Sequence, residues 1–283
     1  MALQRALEAA FPPERRLVDD PLAVSLLDQP LRAVAKASAM PVLGRVIPAL
    51  YDIGWPGPRP SAVARTRLID ETLEQLVASG TAQLVILGAG YDSRAWRLPA
   101  LRGVRVIEVD RLETQRDKLA RLRHGGHDAR AVSFAPVDFE VDRLADAVER
   151  AGLDRSVPSV WLWEGVTNYL SPEAVDRTLA TIKELAAPGS WVLFTYVHRG
   201  ALDGSTHFAE AKRWTRSVAR AGEPWTFGLE PARLAAFLDA RGLTLEWECS
   251  TAEAGRRYFP PVGRSEHASE LYRVALASVD AAA

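Results

Sequence analysis

Several residues that could do chemistry stand directly after short apolar runs. "LVILGAG" places Gly88, Ala89 and Gly90 after the first run, and "VRVIEVD" ends its run with Glu108 and Asp110. "PVDF" puts Asp138 and Phe139 after a third, and "SVWLWEG" carries Glu164 after a fourth. Glycines let a backbone turn sharply and approach a ligand closely. A carboxylate after the second run can accept both hydroxyls of a ribose, and an Asp–Phe pair can read an adenine amino group and cover a ring face. Together the four features suit an adenosine. Taken singly, each has a plainer reading. A glycine pair closes a tight turn, and Asp110 or Asp138 can N-cap the helix that follows. Glu164 is harder to explain away, because a carboxylate at a buried strand end is costly unless paired or ligand-bound. The glycines alone do not make a dinucleotide fingerprint, since Ser93 stands where the third glycine of G-x-G-x-x-G would fall.

These positions need a scaffold, and the spacing predicts one. Apolar runs at 83–87, 104–109, 131–137, 159–163 and 190–196 alternate with helical segments, which describes a parallel sheet covered on both faces. In such a sheet ligands bind at the carboxyl ends of the strands, near the switch in strand order. "LTLEWEC" and "LYRVALASV" add two strands with no clear amphipathic helix between them, so one is reversed. The expected fold is therefore α/β: a doubly wound, mostly parallel seven-stranded sheet with its last strand antiparallel. Upstream, helical spacing covers 2–10, 21–38 and 61–79, interrupted by Pro12, Pro13, Pro30 and Pro41. Ser61 is the expected N-cap of the long third helix. Residues 1–60 then form a helical cap, and residues 61–283 form the main domain, with an insertion at about 198–227 after the fifth strand.

Composition narrows the function classes. A net charge of −1 provides no field for nucleic acid or anionic membrane. Cys249 is the only cysteine, which excludes an intrachain disulfide and a zinc cluster and suits a cytoplasmic setting; no metal is expected. No apolar run approaches the ~18 residues of a membrane span.

The sequence resembles the leucine carboxyl methyltransferase-type branch of S-adenosylmethionine-dependent methyltransferases, which includes enzymes of bacterial polyketide pathways. The residues that carry the resemblance are "ARTRLID" (64–70), "VILGAGYDSRAWRL" (85–98), "IEVD" (107–110) with Lys118, "PVDFE" (136–140) and "WEGVTNYLSPEA" (163–174). "FGLEPARLAAFLDARG" (227–242) matches more weakly. The resemblance implies a Rossmann-like class I methyltransferase domain whose lid is the 198–227 insertion. It implies S-adenosyl-L-methionine as cofactor, contacted by Arg65, Gly88, Asp110, Asp138, Phe139 and Glu164; their neighbours Ala89, Gly90 and Arg111 complete the expected set. It also accounts for Ser93, because the family uses a GAGxDxR turn in which Asp92 and Arg94 follow the glycines. That pair reads as a loop-fixing ion pair.

The acceptor is then a small molecule. A carboxylate acceptor is already ionised at neutral pH and needs no base. Arg65 would be a fork for a carboxylate of acceptor or cofactor, and Tyr169 a second donor. A hydroxyl acceptor would instead require a base, for which His198 or His207 in the insertion are candidates. Two other readings remain: a nicotinamide-dependent reductase on the same sheet, and an adenosyl-binding protein without catalysis.

Overall fold

In the computed structural model, residues 1–40, 43–127, 132–220 and 222–279 are described. Pro41, the Ala131 start of the predicted third strand and the terminal "DAAA" lie outside these residues. The N-terminal part contains α1 (Ala2–Glu8), α2 (Gln29–Ser38), α3 (Leu43–Gly54) and the long α4 (Pro58–Ala78). Only the second half of the predicted 21–38 helix forms. Asp28 ends a run of turns, and Pro30 enters the first turn of α2, where its missing N–H costs nothing. For the same reason α4 starts at Pro58, three residues before the expected Ser61. Gly57 is its N-cap, at φ +97°, and the Ser61 hydroxyl instead accepts from the backbone N–H of Ser269.

From Gln83 the chain alternates strictly. It runs β1 (Gln83–Leu87), α5 (Arg94–Arg97), β2 (Arg105–Asp110), α6 (Leu112–His124), β3 (Val132–Pro136), α7 (Leu144–Arg150), β4 (Ser159–Trp163), α8 (Pro172–Leu185) and β5 (Trp191–Val197). Then follow α9 (Gly200–Asp203), α10 (Ala211–Arg220), α11 (Leu234–Asp239), β6 (Leu243–Ser250), α12 (Thr251–Tyr258) and β7 (Tyr272–Val279). The sheet order is β3-β2-β1-β4-β5-β7-β6, with β7 antiparallel to both its neighbours and the rest parallel. The reversed strand agrees with the sequence pattern. The helix before it does not: α12 is only eight residues long, and is held by a capping box in which Ser250 and Glu253 satisfy each other's backbone.

Alternation along the strands divides the core in two. Val85, Leu87, Trp161 and Trp163 pack toward α7, α8 and α11. Leu84, Ile86, Leu162 and Leu193 pack toward Ile69 and Leu73 of α4 and Phe259 beyond α12. β1 is buried along its whole length because both of its faces are covered. The strand order reverses between β1 and β4, so a crevice opens at their carboxyl ends. Among the described residues no helix is long and apolar enough to cross a membrane.

Candidate active site

All four sequence features arrive at that crevice. Beyond β1 the chain turns through Gly88 (φ +63°) and Gly90 (φ +46°), a conformation that side chains with a Cβ rarely adopt. Gly88 also has a packing reason, since a Cβ there would lie 2.3 Å from Cγ2 of Val166 in the turn after β4. At Gly90 the space is open, with only the Gly88 carbonyl within 4 Å of the built Cβ. The Gly90 N–H donates to Asp110 Oδ2 (2.5 Å), and the Arg111 N–H to Asp110 Oδ1 (2.7 Å). Arg111, not Asp110, occupies the N-cap position of α6. Its guanidinium Nη2 stands 3.2 Å from Asp138 Oδ2, so one arginine bridges the ends of β2 and β3. Asp138 caps no helix, because α7 begins only at Leu144; its Oδ1 accepts from the Glu140 N–H (3.0 Å). Phe139 packs beside Trp163 at 6.4 Å between ring centroids.

Glu164 is the centre of a buried charge network. Its Oε1 accepts from Arg65 Nε (2.8 Å) and its Oε2 from Arg94 Nη1 (2.7 Å). Arg94 also pairs with Asp92 and, at 2.7 Å, with Asp70. Asp70 in turn accepts from Arg97 (2.7 and 2.9 Å). Farther in, Asp20 binds Arg5 Nε (2.7 Å) and the Ser93 hydroxyl (2.6 Å). Arg5, Arg65, Arg94 and Arg97 thus balance Asp20, Asp70, Asp92 and Glu164, and the buried cluster is neutral. Burial alone would raise the Glu164 carboxyl. The Arg94 and Arg65 guanidiniums more than reverse that and hold it well below the usual carboxylate range, so it stays ionised.

Beside Glu164 lies a cavity of about 280 Å³. Its walls include Trp55, Tyr169, Trp214, Trp225 and Tyr272, with Gly165 and Arg65 on its inner side. Arg65 stacks on Tyr272, its guanidinium carbon 4.4 Å from the ring centroid. Tyr272 Oη donates to Asn168 Oδ1 (3.2 Å), and the Gly165 N–H donates to Thr195 (2.8 Å), fixing the turn after β4. Arg65 is the one charged side chain among the described residues lining this space, which contain no histidine or carboxylate. Arg65 and Tyr169 both line this space, but His198 does not. Its Nδ1 accepts from Gly200 N–H (3.0 Å), its Nε2 lies 3.4 Å from Glu230, and its ring packs edge-on to Phe208. These contacts fix the start of the 198–227 segment. His207 is exposed and lines no part of the cavity either.

A model of the family described as leucine carboxyl methyltransferase matches residues 1–183. The chain belongs to the leucine carboxyl methyltransferase family. It is 34% identical over 201 residues to a protein of Mycobacterium tuberculosis (strain ATCC 25618 / H37Rv) provisionally named an S-adenosyl-L-methionine-dependent methyltransferase, covering 67% of this chain and 62% of that one. A similarly named protein of Mycobacterium sp. (strain KMS) is 44% identical over 130 residues, 45% of this chain and 41% of its own. The chain thus spans about 40 to 60% of the length of the curated relatives it matches. Two solved structures share the fold, each with a TM-score of 0.61. One, from Thermobifida fusca YX, is provisionally named a methyltransferase; it is 18% identical and covers 98% of this chain and 94% of that one. The other, a DUF574 family protein from Streptomyces avermitilis, is 13% identical and covers 97% and 96%. Both likenesses are of fold.

The family match begins at residue 1, whereas the motifs read from the sequence start only near residue 60. The structure shows why the N-terminal helices belong with the site. Arg5 of α1 reaches Asp20 and the Tyr91 carbonyl (2.6 Å), and Gln4 lines the aromatic cavity. Arg97 stands inside "VILGAGYDSRAWRL", but Arg5 and Asp20 have no sequence signal of their own. Asp70 does, since it ends "ARTRLID" five residues after Arg65, but its partners are set by tertiary packing alone.

Proposed function

We propose that this chain is an S-adenosyl-L-methionine-dependent O-methyltransferase acting on a carboxylate of a small molecule. The cofactor fits the chemistry of the strand ends. Asp110 is held by the Gly90 N–H beside open space, where it can accept ribose hydroxyls. Asp138 and Phe139, just beyond β3, would take the adenine. Glu164, kept anionic by two arginines, offers a carboxylate to a cationic amino group, and Arg65, bound through Nε to Glu164 and through Nη2 to Met1 Sδ, offers its remaining N–H groups to a carboxylate. When bound, the cofactor supplies an electrophilic methyl group on a sulfonium.

The observation that carries the acceptor assignment is the cavity lining. Arg65, paired on one side with Glu164, brings guanidinium donors into aromatic walls, which suits an anionic acceptor end. Tyr169 lines the same space with a phenol pushed up by burial, so it remains a neutral donor. An alcohol acceptor would need a base there, and the described lining offers no histidine or carboxylate, only Met1, whose amino group burial lowers to about 5. A carboxylate with a pKa near ~4 needs none. The protein's contribution is then to orient the acceptor and exclude water.

The test starts from native small-molecule extract incubated with the protein and isotope-labelled S-adenosyl-L-methionine, with mass spectrometry reporting the species that gains a methyl group. Single-turnover rates on that species should be nearly flat from about pH 6 to 9. A steep rise through neutrality would point to a hydroxyl acceptor and contradict the carboxylate assignment.

A further inference from the structure

"AKRWTRSVAR" forms α10 with two unlike faces. Ala211 and Trp214 turn inward, while Lys212, Arg213, Arg216 and Arg220 are exposed. Lys212, Arg216 and Arg220 are spaced four residues apart, so they make one stripe of like charge. Like charges at this spacing weaken a helix. None of the three has an ion-pair partner among the described residues. Arg213 differs, because it donates to the Gly54 carbonyl at the end of α3, and its neighbour Trp214 donates to Pro56 O (3.3 Å). Those two bonds hold α10 against the end of α3.

The stripe lines an open groove of about 610 Å³ with Trp55 and Ser217, and no acid lines it among the described residues. Trp55 and Ser217 also line the aromatic cavity that contains Arg65, so the two spaces adjoin. The indole N–H of Trp55 is buried without a hydrogen-bond partner. Three cations without ion-pair partners along one groove form a receptor for an anion, and guanidinium forks match phosphate and carboxylate oxygens in pairs.

We propose that the α10 groove binds a multiply charged anionic group, of phosphate or polycarboxylate type, carried at the far end of the methyl acceptor. That the anion belongs to an acceptor rests on the methyltransferase reading; the anion site itself does not. The acceptor would then be a two-ended molecule, its reacting group beside Arg65, its apolar body among the aromatic rings and its charged tail on Lys212, Arg216 and Arg220.

Calorimetry with inorganic pyrophosphate, and separately with citrate, on the full chain tests this. Arg216→Glu and the triple variant Lys212→Ala/Arg216→Ala/Arg220→Ala serve as comparisons, with S-adenosyl-L-methionine titrated into every sample. At least one anion should bind the parent, and about tenfold or more weakly both variants, while cofactor affinity stays unchanged. Pyrophosphate binding more tightly than citrate assigns a phosphate-type tail, and the reverse a polycarboxylate. Arg216→Glu should melt at the same or a higher temperature, because it turns two repulsive pairs along α10 into attractive ones. Absence of binding by both anions, or equal binding by parent and variants, overturns the proposal. Failure of the parent to bind S-adenosyl-L-methionine would overturn the methyltransferase reading instead, whatever the anion titrations show.

Discussion

Glu108 and Glu164 are acids of the central sheet, one buried within β2 and the other partly buried just beyond β4, on either side of β1. Glu108 has one partner, Lys118 of α6, at 2.6 and 2.8 Å, and both side chains are sealed at 1% exposure. Burial pushes its carboxyl up to about 7, with Lys118 pulling against that rise without cancelling it. Glu164 has two arginines, one on each oxygen, and remains 10% exposed beside the aromatic cavity. Burial pushes both carboxyls up, so the number and placement of cations decide the charge state. One site is a closed pair that fastens α6 to the sheet. The other keeps an anion ionised next to the aromatic cavity.

The largest expected effect breaks the second site. Arg94→Ala leaves Asp70, Asp92 and Glu164 without their shared guanidinium, and removing one partner from a buried pair costs about 3–5 kcal/mol. Urea denaturation should show a loss of that size, and Arg94→Lys should recover little, because an ammonium cannot serve three carboxylates through one fork. A loss below about 1 kcal/mol would mean that the network is solvated and not structural.

A smaller effect separates the two acids by ligand binding. Glu164→Gln should weaken S-adenosyl-L-methionine affinity by roughly 10- to 150-fold, the equivalent of about 1.5–3 kcal/mol for a charge-assisted hydrogen bond. The double change Glu108→Leu/Lys118→Met should leave that affinity unchanged and be neutral or stabilising for the fold. Equal losses of affinity in both variants would erase the distinction between the two acids.

The smallest effect is a pH trend, whose slope for one proton is at most about 1.4 kcal/mol for each unit of pH. The raised Glu108 value means that its contribution is full below the ordinary carboxylate range, near 4.5, and is lost as pH rises through about 7. Parent stability should therefore fall relative to Glu108→Gln between about pH 5 and 8. Glu164 has the opposite sign. Its lowered value gives a contribution that is full above the ordinary range and lost only as pH falls below it. Thermal melts across pH that show the parent gaining on Glu108→Gln would reverse the first assignment.

The parallel strands and their carboxyl-end residues are legible in the sequence because each is a local pattern: an unbroken apolar run, then a glycine or an acid. Gly88, Asp110, Asp138 and Glu164 come together for that reason alone. The network around Glu164 is legible only where a motif supplies it, as with Asp92 and Arg94. Arg5 and Asp20 join it through the packing of α1 against α4, which no local spacing records. A histidine base is suggested by residue type without position, and His198 is occupied by Gly200 and Glu230 at the start of the inserted segment. The start of α4 escapes the sequence pattern because Ser61 has the chemistry of a cap, while two prolines upstream have already started the helix.

The central claim is that the carboxyl ends of β1, β2 and β4 hold an adenosyl cofactor. Titration calorimetry of S-adenosyl-L-methionine into the parent and into Asp110→Ala tests it most directly. Saturable binding by the parent is expected, with an affinity roughly 10- to 150-fold lower in the variant and both proteins folded by circular dichroism. No binding by the folded parent, or equal affinity in the two proteins, would contradict it.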